Sequence, residues 1–236
     1  MLTFKEFIKK YPPSPKFEKI QAEVRTNLYP DFDDLTKKEY DTVFNYTKDS
    51  SKLNGSLWSA KNGKSISKQM LNSIKTLNST LTELPTQHDK LVVYSGVRRP
   101  SNPEQWIEQG GIVNIPSYLS TSLSPRLAST YVDYFLNSKD DSQKDKIGDL
   151  LIITIKPNQN IGGYVQDISH SPEDQEFLIK CNFCLKIIDT EPQIFNLTFD
   201  SGKVKLRTWN AVILDEKEIP DGDEKESYFR LKKELT

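Results

Sequence analysis

The spacing of apolar residues changes near residue 90, and no other feature of the sequence constrains the fold as strongly. Before that point, apolar residues recur every three or four positions, which is the spacing of one face of an α-helix. This pattern covers residues 4–11, 16–28, 33–47 and 65–84. In the last of these segments the stripe consists of Ile66, Met70, Ile74, Leu77 and Leu81. We therefore predict a helical N-terminal part whose stripes face a core.

After residue 90 the apolar runs become short and often alternate with polar residues, as β-strands do. They occupy residues 90–97, 115–123, 149–157, 175–180, 183–189, 193–199, 203–209 and 210–216. Turn residues, Gly162 and Gly163 among them, separate several of these runs. One helix is predicted over residues 124–135, with Ser124 as N-cap and Pro125 in the first helical position.

Helices first and strands second predict an α+β protein, with a helical N-terminal part followed by a mixed or antiparallel two-sheet β core. We expect a helical lobe over residues 1–89 and a β-rich core over residues 90–220. A charged C-terminal tail follows over residues 221–236, either frayed or a short terminal helix, and the three parts form one integrated domain.

The composition argues against several classes of function. The net charge of −1 gives no electrostatic basis for non-specific nucleic-acid binding. The chain has no apolar run of roughly 18 residues or more, the length that a membrane-spanning helix needs. Residues 1–11 are amphipathic and do not resemble a secretory signal, so we expect a cytoplasmic protein.

Cysteine and histidine are too scarce for a metal site. Cys181 and Cys184 form a single CxxC pair, and His88 and His170 are far apart in the sequence. A tetrahedral zinc site needs four ligands, and nucleophilic catalysis of the serine–histidine type needs a histidine near its nucleophile. We therefore expect no metal and two reduced thiols.

Three polar motifs occur in order along the β-rich half. Arg98 and Arg99 follow the predicted strand at residues 90–97, and Ser120, Thr121 and Ser122 lie within the next one. Asp174 and Glu176 then stand at the start of a short apolar run. A carboxylate at the edge of a buried strand is costly unless it is solvated, paired or used.

This order resembles the arginine–serine–glutamate arrangement of mono-ADP-ribosyltransferases. More narrowly, it resembles the arginine-specific clade with its STS and ExE motifs, which includes actin-modifying bacterial toxins and phage enzymes. Upstream, Tyr46, Thr47, Ser50 or Ser51, Asn54 and Leu57 are similar to the helical NAD-site element of that group. In the loop before the acids, Tyr164 and then Ile168-Ser169 are similar to the family's substrate-recognition loop.

The resemblance implies an ADP-ribosyltransferase-like fold with an NAD cleft, and it assigns roles to residues. The arginine binds a phosphate of NAD, the first serine (Ser120) holds the catalytic glutamate, and Glu176 stabilises the ribosyl cation. The first acid (Asp174) contacts the guanidinium of an acceptor arginine. The catalytic set is then Arg98, Ser120, Asp174 and Glu176. The NAD-binding set adds Tyr46, Asn54, Arg99, Thr121 and Ser122, and Tyr164 joins Asp174 in acceptor recognition.

Two positions depart from the family pattern. The family commonly has Tyr-Arg-Gly at the first motif, and here Ser95 occupies the arginine position between Tyr94 and Gly96. We infer that Arg98 reaches the site from just past the strand, with Arg99 as the alternative. The first acid is Asp174 rather than glutamate, which is shorter by the roughly 1.5 Å of one carbon–carbon bond. Arginine stays the favoured acceptor, and Glu173 is the alternative acid.

Other functions fit parts of the same pattern. The chain is predicted to modify a protein acceptor in a host cell as a monomer, with NAD as co-substrate; a nucleic-acid acceptor stays open. An NAD glycohydrolase, a glycosidase-type hydrolase and an inactive binding module of the same fold are the alternatives. In the helix at residues 124–135, the spacing of Tyr131, Tyr134 and Phe135 favours the core of the protein over stacking on nicotinamide.

Overall fold

The structure is a computed structural model that describes residues 2–11, 35–84, 89–97, 111–137, 147–199 and 202–235. Side chains are described from residue 6 onward, and those of residues 133–137 are not. The helix predicted over residues 16–28 lies outside these ranges. So do Arg98 and Arg99, which belong to the segment between Val97 and Gly111.

The N-terminal half is helical, as the sequence predicts. Its helices are α1 (Phe4–Lys10), α2 (Lys37–Lys48), α3 (Ser51–Lys61) and α4 (Lys68–Glu83). Thr36 begins α2 through a capping box, in which the Glu39 N–H donates to Thr36 Oγ1 (3.3 Å) and the Thr36 N–H donates to Glu39 (2.7 Å). Ser67 begins α4 by accepting a hydrogen bond from the Met70 N–H (3.3 Å).

The predicted stripe of α4 is confirmed, because Ile74, Leu77 and Leu81 are fully buried. They pack in a cluster with Leu57 of α3 and Tyr46 of α2. The strand residue Leu178 belongs to the same cluster, so the helices cover one side of the β core.

The C-terminal half forms a mixed, mostly antiparallel β core. Its strands, with the short β1 from the N-terminus, are β1 (Leu2–Thr3), β2 (Leu91–Val97), β3 (Ile112–Ile115), β4 (Leu119–Ser122), β5 (Ile147–Ile155), β6 (Gly162–Tyr164), β7 (Glu176–Ile179), β8 (Phe183–Ile187), β9 (Gln193–Phe199) and β10 (Gly202–Ile213). The remaining helices are α5 (Pro125–Asn137) and α6 (Asp223–Leu235). The α+β class and the mixed β core are thereby confirmed.

The strand order places the predicted motifs on neighbouring strands. The order is β1-β9-β10-β5-β2-β4-β7-β6, and β8 pairs with both β10 and β3. The pairs β1–β9 and β10–β5 are parallel, and the other pairs are antiparallel. The larger group of strands, from β1 to β2, meets the smaller group β4-β7-β6 through the pair Tyr94–Ser122.

Two details of the strand prediction are corrected. The runs at residues 203–209 and 210–216 form the single strand β10, which pairs with β5 continuously from Lys205 to Val212. Gly162 and Gly163, predicted as turn residues, lie within β6. Glycine is required there because a Cβ on Gly162 would lie 2.2 Å from the Leu178 carbonyl oxygen, and one on Gly163 would lie 2.4 Å from Leu84.

A buried ion pair joins the neighbouring parallel strands β5 and β10. Arg207 on β10 donates from Nε (2.7 Å) and Nη2 (2.9 Å) to the carboxylate of Asp149 on β5. Trp209 Nε1 donates to the same carboxylate (3.0 Å). The Asp149 side chain is 1% exposed, so its charge depends on these donors in place of water.

The last helix packs against the β core. Glu224 of α6 accepts hydrogen bonds from Lys61 Nζ of α3 (3.0 Å) and from the Asn114 N–H of β3. Leu231 on the same helix is buried. Among the helices of the described ranges, none is long and apolar enough to cross a membrane.

Gly96 allows α5 to lie close to β2. A Cβ at this position would lie 2.7 Å from the Ala128 carbonyl oxygen and 2.9 Å from Val132 Cγ2. We expect Gly96→Ala to lower the free energy of unfolding by roughly 1–3 kcal/mol, the usual cost of overpacking. Urea unfolding measures the change.

Gly55 of α3 is the matched control, because a Cβ there meets nothing within 4 Å. Gly55→Ala is expected to raise the free energy of unfolding by roughly 0.5–1 kcal/mol, since alanine is the better helix former. Unfolding of Gly96→Ala at the wild-type urea concentration would show that α5 does not lie as close to β2 as described.

Candidate active site

A cleft of about 250 Å³ lies where the larger and smaller groups of strands meet. Residues 94–96 of β2 and 120–122 of β4 line it, and α5 contributes Tyr131. Asp174 and Glu176 line the same cleft from β7 and the turn before it. The structure therefore brings together two of the three predicted motifs.

Strand register accounts for this proximity. Ser122 pairs with Glu176 across β4 and β7, and it pairs with Tyr94 of β2 on its other side. Because side chains alternate along a strand, Ser120 has the same orientation as Ser122 and is a diagonal neighbour of Glu176. Thr121 has the opposite orientation, and its hydroxyl donates to the Phe177 carbonyl oxygen (2.6 Å).

Glu176 is a buried carboxyl group, with 7% of its surface exposed. Burial raises its pKa to about 7, and the nearby charge of Asp174 acts in the same direction. Hydrogen bonds from the hydroxyls of Ser120 and Ser169 act in the opposite direction, because they stabilise the ionised form. Glu176 can therefore exist in either protonation state near neutral pH.

The two acids of the motif are held in different surroundings. Asp174 ends a one-turn helix, Pro172–Asp174, and is only partly buried. Gln175 then adopts a left-handed conformation (φ 51°), which turns the chain into β7. Glu176 begins that strand inside the cleft. One acid thus stands at the mouth and the other in the interior.

The loop before the acids is fixed to α2. The His170 N–H donates to Thr47 Oγ1 (2.8 Å), and the His170 ring lies edge-on to Phe44, with 5.3 Å between ring centroids. Ser169 Oγ accepts from the Ser171 N–H (3.1 Å) while its hydroxyl donates to Glu176. The loop is thereby connected to the interior acid.

The predicted NAD residues Tyr46 and Asn54 lie behind the cleft wall. Tyr46 is 1% exposed, and its hydroxyl lies beside Ser120. Asn54 Nδ2 donates to the Tyr46 hydroxyl (3.2 Å), and Asn54 Oδ1 accepts from the Tyr118 N–H (3.2 Å). Both residues support the strand that carries Ser120.

Ser95, at the family's arginine position, is buried and donates to the Ser120 carbonyl oxygen (3.0 Å). The part of the cleft that the structure describes has two carboxylates and no cationic side chain. Arg98 and Arg99 follow β2 directly in sequence but lie outside the described residues. Tyr164 is buried in the main core, and its hydroxyl bonds to Gln166.

One helix residue is not where its spacing predicts. Tyr131 is 37% exposed and lines the cleft, so the core assignment is wrong for this residue. Its phenol donates a hydrogen bond to the Asp174 carboxylate. The side chains of Tyr134 and Phe135 lie outside the described set.

Among the described residues, no three or more His, Cys, Asp and Glu side chains form a group that could hold a metal ion. Cys181 and Cys184 are both buried and free. Burial raises the pKa of Cys181 to about 11 and that of Cys184 to about 12, so neither is a ready nucleophile near neutral pH.

The sequence model of the ADP-ribosyltransferase exoenzymes matches residues 18–216, which is well over half of the chain. The chain belongs to the ADP-ribosyltransferase exoenzyme family. Enzymes of this family transfer ADP-ribose from NAD to protein acceptors, and the predicted family and enzyme class are confirmed. A search of curated proteins finds no match.

Solved ADP-ribosyltransferases share the fold at low sequence identity. Plx2a, a toxin from Paenibacillus larvae, is 20% identical with a TM-score of 0.54, over 91% of this chain and 100% of that one. BECa of C. perfringens, solved with NADH, is 16% identical with a TM-score of 0.58, over 82% of this chain and 48% of that one. Vis of Vibrio splendidus, solved with agmatine, is 14% identical with a TM-score of 0.55, over 87% and 86%.

Ser169 is a site residue that the sequence identified only as part of a loop motif. Its hydroxyl lowers the pKa of Glu176, so Ser169→Ala is expected to raise that pKa further above the ordinary value. If Glu176 must be ionised, nicotinamide release from NAD will then lose activity at a higher pH than in the wild type. The pH dependence of kcat/KM measures the displacement.

Ser171→Ala is the control for this change, since the Ser171 hydroxyl lies 3.5 Å from His170 Nδ1 and does not contribute to the Glu176 pKa. We expect its pH profile to match the wild type. Identical profiles for Ser169→Ala and wild type would contradict a link between Ser169 and Glu176.

Proposed function

We propose that this chain is a mono-ADP-ribosyltransferase that moves ADP-ribose from NAD to an arginine side chain of a protein acceptor and releases nicotinamide. The observation that carries the proposal is the position of Glu176, a buried carboxyl group next to Ser120, in a cleft whose mouth holds a second acid. Family membership supports the reaction, and the cleft supports the assignment of residues.

The chemistry requires an anionic group at the ribose. As the bond between nicotinamide and ribose C1′ breaks, its electron pair leaves with nicotinamide and positive charge develops on the sugar. Ionised Glu176 stabilises that charge more strongly in its buried position than it would in water. The acceptor nitrogen then bonds to C1′ and loses a proton, which the Asp174 carboxylate accepts.

The diphosphate of NAD needs cations that the described cleft wall lacks. Strand β2 ends at Val97, so Arg98 and Arg99 are the next residues along the chain. We assign the phosphate contact to Arg98, with Arg99 as the alternative, because guanidinium binds phosphate through two parallel hydrogen bonds. Tyr46 and Asn54 support the β4 side, and Ser122 continues the polar wall beside Ser120. Thr121 acts on this wall from behind, because its hydroxyl is bonded to the Phe177 carbonyl oxygen.

An acceptor arginine fits the charge at the cleft mouth. Asp174 is partly exposed there, and the exposed Glu173 precedes it on the same turn. Carboxylates bind guanidinium in a bidentate manner and bind it more strongly than a neutral group does. We propose that the acceptor is a host-cell protein and that the chain works as a monomer in that cell's cytoplasm. Tyr164 acts on acceptor recognition through the loop that it supports.

Two small amines test the acceptor class. The chain is incubated with NAD and one of two small amines. Agmatine carries a guanidinium, and 1,5-diaminopentane carries an amine at the end of an alkyl chain of similar length. We expect ADP-ribosyl-agmatine in the mass spectrum and no adduct of the diamine. Free ADP-ribose alone would identify a glycohydrolase, and unchanged NAD would identify an inactive binding module.

A further inference from the structure

Tyr131 and Asp174 line the cleft from different elements, and their side chains are in contact. Tyr131 lies one helical turn after Ala128, whose carbonyl oxygen packs against Gly96 of β2. This close packing fixes α5 beside the cleft, and the Tyr131 ring forms part of its lining. Asp174 enters from the turn before β7, and the Tyr131 phenol donates a hydrogen bond to its carboxylate.

A carboxylate and a phenol that are hydrogen-bonded to each other can both accept further hydrogen bonds. A carboxylate has about four acceptor positions, and a phenol that donates its proton still accepts at its oxygen. A guanidinium presents several N–H groups in one plane, in a fixed fork. The Asp174 oxygens and the Tyr131 oxygen together offer acceptor atoms from two elements to a fork that enters the cleft.

The pair also offers an explanation for Asp174, which stands where the family pattern has a glutamate as its first acid. Aspartate is one methylene shorter than the glutamate that the family pattern has at this position, so its carboxylate reaches less far into the mouth. The Tyr131 side chain lines the same cleft as Asp174, and its hydroxyl is hydrogen-bonded to the Asp174 carboxylate. A fixed phenol can supply the acceptor atom that the missing methylene would have brought closer.

We propose that Tyr131 and Asp174 form a composite binding site for the guanidinium of the acceptor, in which the Tyr131 hydroxyl orients Asp174 and contributes the second acceptor atom. This inference rests on the proposed transferase function and names the group that selects its substrate. Tyr131 is then a residue of substrate specificity, and Glu176 keeps its separate role at the ribose.

Agmatine binding to the full chain tests the pair, with isothermal titration calorimetry as the measurement. Tyr131→Phe keeps the ring and removes only the hydroxyl, so we expect roughly tenfold weaker binding, as for the loss of one hydrogen bond to a charged group. Asp174→Glu restores the reach of the acid. In the double variant Tyr131→Phe/Asp174→Glu, agmatine affinity should therefore return to within roughly threefold of wild type.

Glu173→Gln separates this pair from the neighbouring acid. Glu173 is exposed on the same turn as Asp174, so its charge is screened by water, and its substitution should weaken agmatine binding by no more than roughly threefold. Equal affinity in wild type and Tyr131→Phe would overturn the proposal. So would a failure of Asp174→Glu to compensate, a loss of affinity in Glu173→Gln as large as that in Tyr131→Phe, or no agmatine binding by the wild type.

Nicotinamide release is recorded on the same samples after NAD is added. If the variants follow the expected order in agmatine affinity and NAD stays intact, the composite site stands and the transferase function fails. If NAD is cleaved and Tyr131→Phe binds agmatine as the wild type does, the transferase function stands and the composite site fails.

Discussion

Glu176→Gln is expected to slow nicotinamide release from NAD by roughly 10²–10³-fold, the usual effect of removing one electrostatic contact to a transition state. Glutamine keeps the size of the side chain and its capacity to accept a hydrogen bond, but it carries no charge. Because Glu176 is buried in the cleft, little water is present to stabilise the positive charge on the ribose in its place. The rate at saturating NAD and about pH 8 measures the loss, since that pH exceeds the pKa of about 7.

The same substitution is expected to stabilise the fold at that pH. The folded-state pKa of Glu176 lies above its ordinary value, so the neutral form favours folding at low pH and this contribution is lost as the pH rises through about 7. Above that pH the wild type must bury an ionised carboxylate, whereas the glutamine variant stays neutral. A higher melting temperature for Glu176→Gln at about pH 8, with no difference at about pH 4, is the expected pattern.

Glu173→Gln is the control, because it removes an exposed carboxylate three residues away. We expect its rate and melting temperature to match the wild type. A Glu176→Gln variant that releases nicotinamide at the wild-type rate would contradict the assignment of the catalytic acid.

Asp149→Ala is expected to lower the free energy of unfolding by roughly 3–5 kcal/mol, the cost of leaving one charge of a buried ion pair without its partner. Arg207 would lose two hydrogen bonds to the carboxylate, and the Trp209 N–H would lose one. The effect is large because this carboxylate is buried between the paired strands β5 and β10, where neither donor is well solvated. Urea unfolding of the purified variant measures it.

Lys225→Ala provides the matched control, since it removes an ion pair with the fully exposed Asp221 on the protein surface. Such pairs contribute little, and we expect no measurable change. The double variant Asp149→Ala/Arg207→Leu should be more stable than Asp149→Ala, because no unpaired charge is then buried. If Asp149→Ala unfolds at the same urea concentration as the wild type, the Asp149–Arg207 pair is not buried away from water as described.

Local patterns were sufficient to predict the strands that build the site. The short apolar runs of β2, β4 and β7 and the apolar stripe of α4 are properties of neighbouring residues, and each appears where its spacing predicts. The order of the motifs, with the resemblance that it carries, then indicated which strands meet. The register Ser122–Glu176 gives the physical reason that the STS strand and the acid pair share one cleft.

Other site residues depend on tertiary contacts that no local pattern encodes. Tyr131 has the spacing of a core residue, but in the folded chain it is partly exposed. Its phenol is hydrogen-bonded to Asp174, which comes from a distant turn. Ser169 contacts Glu176 because the loop is fixed to α2 through Thr47, more than a hundred residues earlier. The sequence predicts Gly162 and Gly163 as turn residues. Glycine is needed there because Leu178 and Leu84 approach closely in the folded chain, and no local pattern shows those contacts.

The pH dependence of nicotinamide release tests the role of buried Glu176 most directly. The second-order rate constant, kcat/KM, is measured at NAD concentrations below KM from about pH 5 to about pH 9, because it reports groups of the free enzyme. We expect it to fall on acidification with a midpoint at the Glu176 pKa of about 7. A rate constant that stays level down to about pH 5 would contradict a catalytic role for this buried carboxylate.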